Sequence, residues 1–261
     1  MPETNPQSLA VILSVPPYAR GRPYAGRFPI IACEGWPLVA LFALISGVLT
    51  FAVLLWHPVA GGVVGALGGI LTAWCLWFFR DPTRLTPTDR DAVISPADGV
   101  VVKIEAGGGT PPPELGLSEA QSKGMTKVSI FMNVFNVHVN RSPVGAKVTR
   151  IAYKPGAFLN ASFDKASSLN ERCSYALELD DGRTLAMVQI AGLVARRIVV
   201  KVGEGARLSA GERYGLIRFG SRVDLYLPSG CMVSAKVGDK TAAGETVLGS
   251  LAPAAATEAP R

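Results

Sequence analysis

One Gly-Ser pair in the chain stands where a serine can attack its own backbone. Gly220 and Ser221 lie between two β-prone runs, residues 216–219 and 223–227. A serine hydroxyl attacks the carbonyl that precedes it only when the backbone is held in a strained turn, and glycine supplies that conformational freedom. We therefore predict that the chain cuts itself between Gly220 and Ser221. Ser221 is then the precursor of a cofactor and not a nucleophile of the finished protein.

The chemistry of this cut gives the cofactor. Attack of the Ser221 hydroxyl on the Gly220 carbonyl turns the amide into an ester, and loss of the Ser221 α-proton breaks that ester by elimination. The resulting dehydroalanine hydrolyses to a pyruvoyl group and ammonia. A pyruvoyl carbonyl forms a Schiff base with an amine and accepts the electrons left by decarboxylation of an amino acid. The predicted cofactor is a covalent pyruvoyl group made from Ser221, with no PLP and no metal.

Self-cleavage also needs a base for the hydroxyl and donors for the developing oxyanion. His138 is the only histidine outside the apolar N-terminal part, and its ordinary pKa near neutrality makes it the natural base. Asp98, in a turn, is the carboxylate expected to orient the imidazole, as in a catalytic triad. Each residue also has a simpler explanation, because a histidine at the end of an apolar strand is often structural and Asp-Gly is common in turns.

Two apolar runs precede the part of the chain that carries these residues. Residues 36–56 and 59–79 are each 21 residues long without Asp, Glu, Lys or Arg, which is the length that crosses a bilayer. Gly61, Gly65 and Gly69 have the four-residue spacing that lets two helices pack closely. Basic residues flank the pair on both sides, so both ends are predicted to face the cytoplasm. The short linker also allows a re-entrant hairpin.

The remainder of the chain predicts a mainly β fold. A Val-Gly-acid and Ala-Gly-Glu pattern at residues 202–212 recurs at residues 237–245, and it resembles the strand and turn rhythm of biotinyl and lipoyl carrier domains. We expect a duplicated barrel-sandwich-like β domain behind a helical membrane hairpin. The predicted parts are an N-terminal cytoplasmic segment (1–35), the membrane hairpin (36–79), the catalytic β domain (80–252) and a disordered tail (253–261).

Charge and cysteine usage narrow the class of partner. The net charge is +6, and a basic surplus beside membrane segments favours attraction to anionic lipid over nucleic-acid binding, because basic and aromatic residues are not interleaved. The four cysteines have no CxxC spacing, so we expect neither a disulfide nor a zinc site.

Several long motifs then resemble one family, the phosphatidylserine decarboxylases of the short prokaryotic type. The segments are FFRDPTR, SPADG, IFMNVFNVHVNRSPVG, NASFDKASSLNER, AGLVARRIV and IRFGSRVDLYLP. The resemblance implies cleavage into a large β chain (1–220) and a small α chain (221–261) that stay associated. It also implies conversion of phosphatidylserine to phosphatidylethanolamine and CO2 on the cytoplasmic side of the inner membrane, and it is compatible with a homodimer. Asp98, His138 and Ser221 match the family's triad.

Some assignments stay open within that resemblance. The longer bacterial members carry Tyr-His-Arg-Val-His, and an ungapped match places His138 on the first histidine and Arg141 on the second. His138 therefore serves both self-cleavage and proton handling in decarboxylation, or only one of them. The candidates for the substrate phosphate are Arg172, Arg196 and Arg197.

Two alternatives to this function remain at this point. The first is a decarboxylase of another serine-headed lipid. The second is a membrane-tethered, lipoyl-like β adaptor without catalysis, in which the Gly220–Ser221 bond stays intact.

Overall fold

A computed structural model of the chain describes residues 31–157, 169–192, 197–218 and 220–251. The described residues fall into two compact units, a helical unit that ends at Thr83 and a β unit that begins at Arg84. The candidate site residues that the structure describes lie in the β unit.

The helical unit consists of two apolar helices. After a short 3₁₀ turn at Cys33–Gly35, helix α1 spans Trp36–Leu54 and helix α2 spans Pro58–Phe78. At 1.5 Å per residue these helices are about 28 and 31 Å long, close to the hydrocarbon thickness of a bilayer. Both are long and apolar enough to cross a membrane, as predicted. His57 ends the linker and caps α2, since its ring Nδ1 accepts a hydrogen bond from the Ala60 N–H at 3.2 Å.

Glycines on α2 let the two helices approach. A Cβ placed on Gly61, Gly65 or Gly68 would lie 2.5, 3.0 or 2.6 Å from the nearest side-chain atom of α1, whereas one on Gly69 would meet nothing within 4 Å. The predicted close packing is confirmed for the first two glycines. The third member is Gly68 because seven residues make nearly two full helical turns and return to the same face.

The β unit contains fourteen strands among its described residues, which confirms the mainly β prediction. Eight of them form one antiparallel sheet in the order β13-β2-β3-β11-β7-β6-β5-β9, and two smaller sheets have the orders β4-β10-β8 and β1-β14-β12. The strands are β1 (Ala92–Ile94), β2 (Gly99–Glu105), β3 (Thr126–Met132), β4 (Val139–Arg141), β5 (Ala146–Lys154), β6 (Arg172–Glu178), β7 (Thr184–Ala191), β8 (Ile198–Val200), β9 (Arg207–Leu208), β10 (Arg213–Ile217), β11 (Ser221–Leu227), β12 (Met232–Val233), β13 (Lys240–Thr241) and β14 (Val247–Ser250). A short 3₁₀ turn at Pro113–Leu115 and helix α3 (Glu119–Ser122) lie between β2 and β3.

Two similar Ser-Pro turns show how the predicted duplication is built. The turn before β2 and the turn before β5 exchange backbone hydrogen bonds, from Ile94 N–H to Pro143 O at 2.9 Å and from Arg141 N–H to Pro96 O at 3.0 Å. The two sequence repeats supply the short strands β9 and β13, which pair with β5 and β2 at opposite edges of the large sheet. The two halves are therefore interlocked, in agreement with a duplicated β unit.

Strand β11 lies inside the large sheet and separates two environments. It pairs with β3 on one side and β7 on the other. Because successive side chains of a strand point to opposite faces, its odd-numbered residues face the main core and its even-numbered residues face a second core under the segment between β2 and β3. We call these the Ser221 face and the Arg222 face.

Candidate active site

The predicted cleavage site lies at the start of β11. Gly220 has a φ of +73°, in the left-handed region that favours glycine, and Ser221 is fully buried as the first residue of the strand. A Cβ on Gly220 would find space, since its nearest neighbour would be 4.0 Å away. The glycine is therefore required by its backbone conformation and not by crowding.

Both backbone polar groups of Gly220 are held. Its N–H donates to His138 Nε2 at 3.2 Å, and its carbonyl oxygen accepts a hydrogen bond from the Gly192 N–H at 3.1 Å. Gly192 directly follows β7, so this second bond continues the β7–β11 ladder past the end of the strand. The carbonyl that Ser221 would attack thus already has a donor where negative charge would develop.

His138 is positioned by the turn before β4. It is 2% exposed. Because Nε2 accepts the Gly220 N–H, the ring proton lies on Nδ1, which donates to the Asn136 carbonyl at 3.0 Å. That turn is braced by Asn133, whose N–H donates to the Asn136 side chain at 2.9 Å. In this arrangement the Nε2 lone pair is directed at the Gly220 N–H, and a ring nitrogen that accepts a hydrogen bond is what a general base requires.

The Ser221 hydroxyl has a weak partner. Its Oγ lies 3.3 Å from Met132 Sδ, directly across the β3–β11 ladder, and a thioether is a poor acceptor. The Asn140 side-chain nitrogen lies 3.7 Å from the same sulfur, and the oxygen of the same amide, Asn140 Oδ1, accepts a hydrogen bond from Gln189 Nε2 at 2.8 Å. The Ser221 hydroxyl is therefore positioned next to the Met132, Asn140 and Gln189 side chains, but its hydrogen bond to the sulfur is weak.

Asp98 lies in the turn between β1 and β2 and is engaged elsewhere. Its carboxylate accepts two hydrogen bonds from Arg84 Nη2, at 2.8 and 2.9 Å, and a third from the Ala243 N–H at 2.7 Å. The structure therefore brings His138, Gly220 and Ser221 together but does not place the Asp98 carboxylate on the imidazole. The orienting role of Asp98 stays a prediction.

Comparison with known proteins identifies the family. Residues 71–249 match the family model described as phosphatidylserine decarboxylase. The chain belongs to the phosphatidylserine decarboxylase family. A phosphatidylserine decarboxylase proenzyme of Cereibacter sphaeroides is 53% identical over 218 residues, which cover 84% of this chain and 88% of the relative. The proenzyme of Paramagnetospirillum magneticum is 51% identical over 224 residues, covering 86% and 88%. As a member of this family the chain is an enzyme of the carboxy-lyase class.

Three arginines were predicted from the sequence as candidates to bind the lipid phosphate of a phosphatidylserine decarboxylase. Arg172 lies on the Arg222 face, where its guanidinium holds both oxygens of Glu114 at 2.6 and 2.9 Å. Burial raises the pKa of Glu114, but the Arg172 bonds outweigh it and leave the pKa below its usual value. Arg197 lies near Glu171. Arg196 lies outside the described residues.

The sequence did not single out Gly192 or Glu171, two residues that the strand register relates to Ser221. The segments AGLVARRIV and NASFDKASSLNER contain them, so the motifs singled out the right regions. Their relation to Ser221 appears only in the strand register, because Ala191 pairs with Ser221 and its N–H donates to the Glu171 carbonyl at 2.9 Å. Such pairing between residues far apart in sequence has no local signal.

Proposed function

We propose that this chain is a self-processing decarboxylase that converts phosphatidylserine to phosphatidylethanolamine and CO2 with a pyruvoyl group derived from Ser221. The observation that supports the proposal is the state of the Gly220 peptide. Its φ is +73°, its N–H is bonded to the His138 imidazole, and its carbonyl is bonded to the Gly192 N–H. A serine follows it in a family whose relatives are named proenzymes.

The first step is an acyl shift at this peptide. His138 takes the proton of the Ser221 hydroxyl, and the oxygen attacks the Gly220 carbonyl carbon while the Gly192 N–H stabilises the oxyanion. The C–N bond breaks, the proton passes from His138 to the Ser221 nitrogen, and an ester remains. Removal of the Ser221 α-proton then expels the Gly220 carboxylate, which ends the large chain.

The residues around Ser221 fit a pyruvoyl group. The positions directly opposite it, Ala191 and Met132, are uncharged and fully buried, so a ketone at Ser221 would be shielded from water. A pyruvoyl group at this position would bind the amine of a serine head group as a Schiff base and accept its electrons. The chain's own residues supply the shielding, the orientation and the protons.

The strand pairing supports continued association of the two proposed chains. After the cut, the small chain begins with β11, which remains paired over seven positions with β3 and over six with β7. Strands β13 and β14 of the small chain pair with β2 and β1 of the large chain. The new terminus is thus held inside the large sheet by strands of the other chain.

The two apolar helices support a membrane location, which suits a substrate that resides in a bilayer. The basic residues flanking both helices favour the cytoplasmic side of the inner membrane. A head group carrying a serine is the part that this site would recognise, so another serine-headed lipid is the alternative substrate.

The deciding experiment is the intact mass of the purified full-length protein under denaturing conditions. We expect two chains that meet at residues 220 and 221, with the smaller blocked to N-terminal sequencing and carrying a ketone. Ser221→Ala should give one uncut chain. Ser250→Ala is the matched control because Gly249-Ser250 is the other Gly-Ser pair of the chain, and this variant should be cut normally.

An uncut wild-type chain, or a cut and active Ser221→Ala variant, would contradict the proposal and favour the adaptor. If the wild-type chain is cut, vesicles that contain phosphatidylserine test the substrate. Release of phosphatidylethanolamine and CO2 supports the assignment, whereas turnover only of another serine-headed lipid supports the alternative.

A further inference from the structure

We propose that Glu171 is the acid that delivers a proton to the α-carbon of the substrate after CO2 has left. The inference rests on the proposed function of Ser221 and adds a second catalytic residue to it.

The strand register places Glu171 in the same cross-strand row as Ser221. Ala191 of β7 pairs with Ser221 of β11, and the Ala191 N–H donates to the Glu171 carbonyl one position before β6. The β6–β7 ladder has no bulge, so Glu171, Ala191 and Ser221 face the same side of the sheet. Two strand spacings of about 4.8 Å put the backbones of Glu171 and Ser221 about 10 Å apart, and the residue of the intervening strand in this row, Ala191, has a small side chain.

The Glu171 carboxyl group has one oxygen that is available for a further hydrogen bond. The residue is 6% exposed, and Oε1 is buried without a hydrogen-bond partner among the residues that the structure describes. Tyr153 and the backbone of Ile198 hydrogen-bond to the carboxyl group from β5 and β8. A buried carboxylate oxygen without a partner is costly, and protonation of the acid removes most of that cost.

The surroundings favour the protonated acid. Burial raises the pKa of Glu171 above its usual value, although the bonds from Tyr153 and Ile198 and the charge of Arg197 act in the opposite direction. Cys173, two residues along the same face, is a neutral neighbour because burial raises the pKa of its thiol to about 12. A carboxyl group with a raised pKa is the form that a general acid needs near neutral pH.

The bond between the substrate α-carbon and its carboxyl group breaks, CO2 leaves, and the electron pair of that bond is shared between the α-carbon and the electron-accepting pyruvoyl group. Glu171 gives its proton to that carbon and becomes a carboxylate. A proton from water restores the acid before the next turnover, in agreement with the one proton that the overall reaction consumes.

This assignment divides the work between two residues on different sides of Ser221. His138 contacts Gly220, which becomes the end of the large chain, through Nε2. Glu171 lies across Ala191 on the β7 side. We therefore assign self-cleavage to His138 and protonation of the substrate α-carbon to Glu171.

The test compares Glu171→Gln with Glu114→Gln in the full-length protein. Glu114 is a matched control, since it is another largely buried glutamate but is bound by Arg172 on the Arg222 face. We expect both variants to cut themselves and to form the pyruvoyl group. Turnover on vesicles containing phosphatidylserine should fall about 10²–10⁴-fold in Glu171→Gln only.

A covalent readout accompanies the rate. Without its acid, the site should misdirect the proton to the carbon that came from Ser221, so that hydrolysis leaves the substrate's amino group on that carbon and releases the lipid as an aldehyde. After incubation with substrate, the small chain of Glu171→Gln should therefore begin with alanine instead of pyruvoyl, as shown by its mass and by its new access to N-terminal sequencing. The small chain of Glu114→Gln should keep its pyruvoyl group.

A Glu171→Gln protein that is cut, turns over normally and keeps its pyruvoyl group would overturn this inference and leave self-cleavage intact. A folded but uncut Glu171→Gln chain would place the residue in maturation and overturn it equally. An uncut wild-type chain would instead refute the proposed function itself.

Tyr153→Phe keeps Glu171 in place and tests the same idea if the first variant does not fold. Loss of the Tyr153 hydroxyl removes a bond that lowers the pKa of Glu171. Activity that needs the protonated acid is lost as pH rises through that pKa, so the alkaline limb of turnover should move to higher pH. An unchanged limb would contradict the assignment, because the other neighbours, Arg197, Cys173 and the Ile198 backbone, are unaltered.

Discussion

Strand β11 presents two consecutive polar residues, Ser221 and Arg222, to opposite faces of one sheet, and the two faces treat polar groups differently. On the Arg222 face, Arg222 Nη2 donates to one Asp224 oxygen at 3.0 Å, and the Lys127 ammonium lies 3.3 Å from the same oxygen. On the Ser221 face, the serine hydroxyl contacts the thioether sulfur of Met132, and one carboxyl oxygen of Glu171 has no hydrogen-bond partner among the described residues.

This difference indicates which face of the sheet is suited to catalytic residues. Buried charges that are matched by opposite charges keep one protonation state and fix the register of the strands. Groups that gain or lose protons, the roles proposed for His138 and Glu171, need environments in which neither protonation state is held too firmly. The Arg222 face therefore keeps β11 in place, while the Ser221 face, on the same strand, stays reactive.

The largest effect is expected from a substitution on the Ser221 face. His138→Ala removes the base at Gly220, so self-cleavage should slow about 10²–10⁴-fold, as measured by the intact mass of the chain over time. His57→Ala is the control, since the other histidine of the chain only caps α2, and it should be cut normally. Normal cutting of His138→Ala with lost turnover would instead confine this histidine to decarboxylation.

The Arg222 face should respond through stability. Asp224→Ala leaves Arg222 and Lys127 buried without their shared carboxylate, and loss of one partner of a buried pair costs about 3–5 kcal/mol. The free energy of unfolding should be measured by denaturant titration in the uncut Ser221→Ala protein, where covalent cleavage does not interfere.

An exposed ion pair provides the control for that stability measurement. Asp180 pairs with Arg207 at the surface, so Asp180→Ala should cost less than about 1 kcal/mol. Equal losses of stability in the Asp180 and Asp224 variants would show that the Arg222 face is not a special source of stability.

The sequence predicts the residues of the Ser221 face better than their partners. Gly220-Ser221 and the apolar helices carry local signals, because turn chemistry and hydrophobic length are read from neighbouring residues. The position of Asp98 is not local, since its partners Arg84 and Ala243 are 14 and 145 residues away. Glu171 and Gly192 likewise reach the site only through the registers of β6, β7 and β11.

Met132 offers the smallest and most selective test of the comparison. Its thioether is the hydrogen-bond partner of the Ser221 hydroxyl, and the proposed cleavage would consume that hydroxyl. Met132→Leu keeps the volume but loses the acceptor, so cleavage should slow by about five-fold, the equivalent of about 1 kcal/mol. Turnover per pyruvoyl group should not change.

Met187→Leu is the control for Met132→Leu, because Met187 is equally buried on the Ser221 face but pairs with Leu225 of β11. It should be cut at the wild-type rate. Equal slowing in both variants would mean that core packing, and not the contact with the hydroxyl, sets the rate. A loss of turnover per pyruvoyl group in Met132→Leu alone would show that the sulfur also shapes the finished site, so the Ser221 face would then differ from the Arg222 face after maturation as well as before it.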